Sequence, residues 1–586
     1  MERKKGQPLP LGAWKQNNGT NFSIAVPEEK DCQLLLYKKG RKTPCSVYEM
    51  PEEDAEGEVR FLTVEGIDPK KYEYNYRVEG QVTVDPFVRK IAGHEKWNHP
   101  VDVDKHEVRG VIPDTDYDWE GDRPLKLPWH QVVAYSLHVR GFTRHSSSQA
   151  GHKGTFAGIV EKIPYLKELG INQIHCMPVY EFEECGQKIN YWGYGSASYF
   201  APKSAYASGK DADIELKDMI KACHKAGIEV ILEMPFDRDV PGMMMVDCLR
   251  YYRLEYHADG FILNPDVAPV DTVLSDPILK SARILQHQNG FRNVMRRFLK
   301  GDEGMVPEVM HWLRYRGDGT IFNDITGQNG FTLRDLVSYS EKHNEANGEK
   351  NRDGEDYNFS WNCGMEGETR KKDIKKLRFS QMKNALFLLL LAQGVPCILA
   401  GDEFGNTQKG NNNVYCQDNL TGWLDWRMLD KEKELYVFLK QLIAFRKNHP
   451  VFCQKQELTG KDKIGCGIPD VSYHGREAWK TPSERSSRQL GVFYSGKSAE
   501  DEDTYVIYNM HWLEHVFALP ALPKGYGWYV RATTDRGILN YPELLKDQRK
   551  AELKERSIAV FTADRIVEVE TKKNESITTL TDDQSS

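Results

Sequence analysis

Three short hydrophobic runs between Gly227 and Gly330, each ending in a polar side chain, constrain this chain more than any other feature. They are Ile228-Glu-Val-Ile-Leu-Glu-Met234, Gly260-Phe-Ile-Leu-Asn264 and Arg283-Ile-Leu-Gln-His287. A polar cluster, Asn323-Asp-Ile-Thr-Gly-Gln-Asn-Gly330, follows the last of them. Helical stretches such as Val246 to Glu255 separate the runs, and the alternation reads as βα units of a parallel barrel. In such a barrel the chemistry sits where the strands end, so the residues closing these runs decide what the protein can do.

The rest of the chain has to fit around that barrel. At 586 residues it exceeds what one hydrophobic core organises, which predicts about three or four domains, or one large barrel with accessories. Bulk electrostatics give no reason to expect a nucleic-acid or anionic-membrane partner, because the net charge is only −7 with both signs interspersed. A neutral or small polar ligand is the natural expectation. Eleven cysteines without metal-ligand spacing fit a reduced, cytoplasmic protein, and neither a metal nor a cofactor is expected. The charged Met1-Glu-Arg-Lys-Lys-Gly6 lacks a following apolar region, so no signal peptide is expected. The most apolar stretch, Ala385 to Ala392, falls well short of the ~20 residues of a membrane span. It reads as a buried barrel helix leading into a last strand over Pro396 to Ala400.

Strand-like runs at Asn21–Val26, Gln33–Tyr37 and Tyr72–Val78, punctuated by Gly, Pro and Asp/Asn, predict an N-terminal β-sandwich. Asp114 to Asp122, followed by Pro124 and Pro128, reads as a linker, with the barrel starting at Val132-Val-Ala-Tyr-Ser-Leu137. Runs at Leu490–Tyr494, Tyr505–Tyr508, Gly527–Val530 and Ile558–Phe561 predict a C-terminal sandwich. The expected architecture is multidomain: a sandwich over 1–120, a partly truncated TIM (β/α)8-type barrel over 121–455, and a sandwich over 456–570. The polar residues 571–586 are expected to be a disordered tail.

Several blocks carry a resemblance. Leu137-His-Val-Arg-Gly-Phe-Thr143, Asn190-Tyr-Trp-Gly-Tyr194 with Phe200-Ala-Pro-Lys203, and the long block from Ala400 to Asn419 resemble the isoamylase-type glycogen-debranching branch of glycoside hydrolase family 13. The N-terminal sandwich, opening Pro10-Leu-Gly-Ala13 and closing near Val84-Asp-Pro-Phe87, is similar to the family-48 carbohydrate-binding module that precedes such barrels. The blocks Gly330–Tyr339, Lys342–Gly348, Asn358–Cys363 and Asn509-Met-His-Trp512 extend the likeness, which runs to about residue 565.

The resemblance implies hydrolysis of an α-glucosidic bond with retention, which needs a nucleophilic carboxylate and a carboxylic acid roughly 5 to 5.5 Å apart. The family's Gly-Phe-Arg-Phe-Asp at the fourth strand stands here as Gly260-Phe-Ile262-Leu-Asn264, so the nucleophile position holds an amide and its Arg partner is Ile262. The acid at the end of strand five aligns with His287. Ala-His-Asp after strand seven appears as Gly327-Gln328-Asn329, and the strand-three Asp-x-x-x-Asn-His as Glu233-Met-Pro-Phe-Asp237-Arg238. Only about thirty residues separate Glu233 from Asn264, so a loop over the cleft is expected to be missing, and the sixth strand is in doubt between Gly301 and Ile321. Asp266 would sit ~6.6 Å beyond Asn264 if the strand continued, too far to substitute. Glu233, Asp237, Asp239 and Asp324 are expected to be solvated or structural acids.

The resemblance also implies a sugar platform of Tyr191, Trp192 and Tyr194, although packing in the barrel is an equal alternative for two of the three. His138 and Arg140, at the first strand end, either touch sugar or tie loops together, the latter being the commoner use of such side chains. The amide-rich Gly410 to Asn419 is expected to be a structured turn and not a metal site. Two functions follow: a catalytically inactive debranching-type scaffold that binds an α-glucan or partners a catalytic homologue, with glucan held mainly by the N-terminal sandwich; or an active hydrolase with altered chemistry drawing on His287 and nearby acids.

Overall fold

The computed structural model describes residues 1–16, 19–113, 116–209 and 211–566. The expected tail and the first two residues of the expected linker, Asp114 and Thr115, lie outside the described residues. At the centre is a parallel sheet of six strands: β1 (Ala134–Leu137), β2 (Gln173–Cys176), β3 (Glu229–Glu233), β4 (Gly260–Ile262), β5 (Arg283–Leu285) and β6 (Cys397–Leu399). Their order is β5-β4-β3-β2-β1-β6. Each is short and apolar because both faces are covered, the condition that makes parallel strands read as continuous hydrophobic runs.

The two edges of this sheet meet. Gln286, just past β5, bridges Ile321 in parallel, and Asn323 bridges Pro396, just before β6. The Gln286 amide donates to the Thr320 carbonyl at 2.8 Å, and the Asn323 amide to the Val395 carbonyl at 2.7 Å. Residues 320–323 therefore act as a further stave that closes the ring. Inside the ring Ala134, Ile231, Ile262, Leu285, Phe322 and Cys397, from six of its staves, form one buried apolar cluster. The remaining stave, β2, contributes His175, whose ring packs edge-on to Phe322 at 4.8 Å.

The ring thus has seven staves among the described residues, where eight would make a complete (β/α)8 barrel. Of the helices α1 (Phe156–Leu169), α2 (Ala212–Lys225), α3 (Gly242–Glu255), α4 (Gly290–Lys300) and α5 (Val306–Arg314), the last two follow β5 with no strand between them, which is where the sixth strand of a complete barrel would stand. A narrower ring needs less filling, and Phe322 supplies much of it at 3% exposure. Phe322→Ala is expected to lower stability by about 3–5 kcal/mol, read as a shift of the urea midpoint at unchanged slope. A loss below about 1 kcal/mol would mean that the ring collapses around the vacancy.

The N-terminal sandwich packs a four-stranded against a six-stranded sheet around Phe22, Leu34, Leu36, Leu62, Tyr74 and Tyr76. In the C-terminal domain the strand Gln489–Tyr494 shows why its six-stranded sheet is buried on both sides. Phe493 joins the domain's own core with Trp528, while Leu490, Val492 and Tyr494 face the barrel core, the period-2 alternation of a strand. The buried helix α6 (Lys372–Leu390) lies against that face.

Two docking devices hold the units together. The segment read as a linker is bound to helix α2 (Ala212–Lys225). Tyr117 donates to Asp218 at 2.8 Å, Glu120 pairs with Lys221 and Lys225, Asp122 lies 2.9 Å from His224, and Trp119 stacks on His257. Nearer the cleft, Lys203 is fully buried between Glu181 at 2.6 Å and Glu184 at 2.5 Å, and His94 of the N-terminal unit reaches Glu181 at 3.1 Å. Trp97, stacked on Tyr206, donates its indole N–H to Asp418 at 2.7 Å.

Candidate functional site

The C-terminal ends of β3, β4 and β5 open into a cleft of about 320 Å3 walled by Tyr194, Glu233, Ile262, Leu263, Asn264 and His287, with two prolines. Glu233 is the last residue of β3, and strand alternation turns it into the mouth while Leu232 faces the surrounding helices. Its Oε1 accepts from the Tyr194 hydroxyl at 2.7 Å and lies 3.7 Å from Nε2 of His287. Among the described residues Glu233 is the one carboxylate in the cleft walls. The sequence alone offers it as a solvated or structural acid, and its place at the end of a strand is the signal of more than that.

The surroundings tune these groups. Desolvation draws the His287 imidazole down, but Glu233 and then Asp324 outweigh it, and its pKa ends above the ordinary histidine value. Burial of the Tyr194 hydroxyl end, reinforced by the Glu233 carboxylate, pushes that phenol well up, so it stays a donor. Asp324 is not free for chemistry: it is buried and gripped by Arg292 through two hydrogen bonds of 2.8 and 2.6 Å.

Asn264 lies beyond the end of β4, where the chain turns at Pro265. Its side-chain oxygen accepts from the Asp266 amide at 3.0 Å and its carbonyl from the Ala268 amide at 2.9 Å, an Asx-type turn. The strand therefore does not continue toward Asp266, which is exposed and outside the cleft walls. Ile262 points into the ring interior, where it packs with Phe322 and Leu285. His287 follows β5, partly exposed, with its ring edge-on to Phe322 at 5.4 Å.

Several sequence-predicted residues stand elsewhere. Tyr191 and Trp192 are 1% and 4% exposed, so neither offers a face to a sugar ring. Tyr191 instead donates to the Gly422 carbonyl at 3.0 Å. Of the three expected platform aromatics only Tyr194, 37% exposed, reaches the cleft. His138 is buried, accepting from the Gly141 amide at 3.0 Å, and desolvation drags its imidazole down to about 3. Arg140 pairs with Asp418 at 2.8 Å under the Trp97 ring. Both tie loops together and touch no cleft wall. Gln328 lies 3.5 Å from Ser136 at the end of β1, and Asn329 and Arg238 are exposed outside the cleft.

The block from Ala400 to Asn419 proves structural. Glu403 accepts from Tyr135 at 2.7 Å and Tyr165 at 2.6 Å. Asn412 accepts from Asn344 at 2.8 Å and donates to Asn358 at 3.0 Å. Among the described residues no cluster of His, Cys, Asp and Glu suits a metal ion, and no helix is long and apolar enough to cross a membrane. The N-terminal sandwich shows no strongly exposed aromatic side chain among its described residues, its exposed large apolar groups being Met1, Leu9 and Val47. Trp14, Tyr48 and Tyr72 are half-buried there, so part-exposed rings are what the sandwich offers to the expectation that it carries the main glucan site.

With this geometry in hand, the likenesses are specific. Residues 140–237 match the alpha-amylase catalytic-domain family, a span that ends before positions 262, 264 and 287. Isoamylase 1, chloroplastic, of Oryza sativa subsp. japonica is 30% identical over 89% of this chain and 81% of its own length. The glycogen operon protein GlgX homolog of Mycobacterium tuberculosis is 30% identical over 85% of this chain and 87% of its own. Among solved structures, the pullulanase type I from Bacillus subtilis str. 168 complexed with maltose superposes with a TM-score of 0.73 at 19% identity, over 94% of this chain and 85% of that one.

Proposed function

This chain belongs to the isoamylase-type debranching family of glycoside hydrolase family 13, and from that premise we propose that it is a catalytically silent α-glucan-binding scaffold. The observation that carries the reading is Asn264. Where a retaining glycosidase needs a carboxylate beneath the sugar, this chain has an amide whose oxygen is already engaged in a turn. The second group of the pair, at His287, is an imidazole, and the Arg that would hold the nucleophile ionised is Ile262, part of the ring's apolar filling.

Glucan binding rests on the shape and chemistry of the mouth. Tyr194 presents an exposed ring beside a carboxylate that can accept from sugar hydroxyls, which is the usual pairing of apolar face and fixed acceptor for a carbohydrate. Isoamylase 1 and the GlgX homolog bear names that point to branched glucans and glycogen, so an α-glucan is the ligand class that the ancestry favours. The sandwich is assigned no site of its own in this reading. We extend the reading to a partner role beside a catalytic homologue, for which the same loss of chemistry is the motive.

One observation favours a second reading, hydrolysis by altered chemistry: the Glu233 carboxylate and the His287 imidazole stand 3.7 Å apart in the cleft walls, a carboxylate and a base side by side. General acid or base help of ~10² to 10⁴-fold does not replace a nucleophile and its oriented partner. Purified protein is therefore expected to release no reducing ends from glycogen, amylopectin or pullulan, while Tyr194→Ala weakens its retardation in glycogen gels. Release that survives repeated purification and vanishes in Glu233→Gln would establish the altered-chemistry reading instead. Migration indifferent to glycogen would remove the binding role.

A further inference from the structure

At the pole of the barrel opposite the cleft lies a cavity of about 720 Å3, within the range of small-molecule sites. Val133 and Asn172, which precede β1 and β2, form its roof. The end of helix α7 (Lys433–Asn448), the following segment to Gln456 and residues 498–500 of the C-terminal domain form its walls. It is thus a junction between domains, a common setting for ligand sites.

Its charge is out of balance. Arg446, Lys447 and Lys455 line it with a single carboxylate, Glu500, which leaves a net of +2. Arg446 donates only to carbonyls, those of Leu390 at 2.6 Å, Ala392 at 2.5 Å and Gly394 at 2.9 Å, and Lys447 donates to the Gly170 carbonyl at 2.6 Å. These bonds fix the two side chains in place without neutralising them. Lys455 is exposed within the cavity, and among the described residues no carboxylate pairs with it.

His130, another wall residue, is drawn below the ordinary histidine value by desolvation and then by Lys455, Arg316 and Arg446, which places the four groups in one positive field. Asn172 accepts from the Val133 amide and donates to the Gln131 carbonyl, which holds its side chain in place in the roof.

We propose that this cavity binds a phosphate monoester of a sugar-sized metabolite, with the phosphate held by Lys455, Lys447 and the field of Arg446. A monoester carries about −1.5 to −2 at neutral pH with three acceptor oxygens, matching the charge surplus of the lining. The space exceeds what a bare phosphate ion fills, and Glu500 can accept from sugar hydroxyls while disfavouring a polyphosphate. A ligand seated there bridges the barrel and the C-terminal domain.

Isothermal titration of the whole protein with glucose 6-phosphate, inorganic phosphate and glucose tests the assignment. Saturable one-to-one binding of glucose 6-phosphate is expected, weakening as salt is added. Lys455→Glu should weaken it about tenfold or more, as loss of a charge-assisted contact does. Glu500→Gln should tighten it about threefold by removing a repulsion, a gain that no misfolding could mimic. Absence of binding, equal binding of glucose, equal affinity for inorganic phosphate, or indifference to both substitutions would each overturn the proposal.

Discussion

The variant Asn264→Asp/His287→Glu is expected to hydrolyse glycogen, amylopectin and pullulan at least ~10⁶-fold more slowly than an active debranching enzyme. Both substitutions put carboxyl groups in the cleft, but not a catalytic pair. Position 264 lies past the end of β4, in a turn whose geometry is set by Pro265 and by the hydrogen bond from the Asp266 amide at 3.0 Å. An aspartate there would keep that bond, and it would have Ile262 where an oriented cation is required. Position 287 stands over Phe322 on a ring with one stave fewer than a complete barrel, so the stave that would follow it in a complete barrel is not there to orient a carboxyl group toward 264. Misplacement of ~1 Å alone can cost ~10²-fold. Reducing-end assays on the purified double variant decide the matter. Turnover within about a hundredfold of an active enzyme would show that the surrounding shell is intact.

Lys203→Met is expected to destabilise the docking of the N-terminal unit by about 3–5 kcal/mol, because it strands two buried carboxylates. Glu181 accepts from the Ser204 amide at 2.8 Å and Glu184 from the Asn98 amide at 2.9 Å, bonds too few to stand in for the ammonium. The same cluster fixes a pH profile. Burial pushes Glu181 upward, but Lys203 and then His94 outweigh it and hold it at about 2. A carboxylate with a depressed pKa contributes stability above its unfolded value of ~4.3, lost as pH falls through about 2. His94 is pulled down by burial, but Glu181 outweighs this and leaves its pKa raised. That contribution is complete below the unfolded value of ~6.5 and disappears as pH rises through the folded one. Docking should therefore be tightest between about pH 4.5 and 6.5, with protease cleavage between the units slowest there. A rate of cleavage flat across pH 4 to 8 and unchanged in Lys203→Met would contradict this account.

Much of the fold was readable because it rests on local pattern. The runs ending at Met234, Asn264 and His287 gave strands at their expected places, and alternation along β4 sends Ile262 into the ring and Phe261 toward the helices. What escaped was complementarity between distant segments. Tyr117, Glu120 and Asp122 look like a solvated linker until α2, about a hundred residues on, supplies Asp218, Lys221, Lys225 and His224. Tyr191, Trp192 and Tyr194 are chemically alike in sequence, and only packing separates two core residues from the one at the cleft. Glu233 was legible as a strand end but not as the acid that Tyr194 and His287 converge on, since both partners come from other elements.

The bond from Trp97 to Asp418 spans 321 residues of chain, and this has a consequence for how the protein is made. A ribosome adds ~5 to 20 residues per second, so a nascent N-terminal sandwich waits about 16 to 64 s for the carboxylate that receives its indole. His94 waits less, since Glu181 is 87 residues away. The Trp97 ring, covered by Arg140 and Tyr206 once these earlier residues have emerged, stands during the first part of that wait on a domain whose own core of Phe22, Leu34 and Tyr74 is already available. The docking face is thus a transient hydrophobic surface during synthesis. Holding factors that act on emerging chains should engage this protein until residue 418 has cleared the exit tunnel.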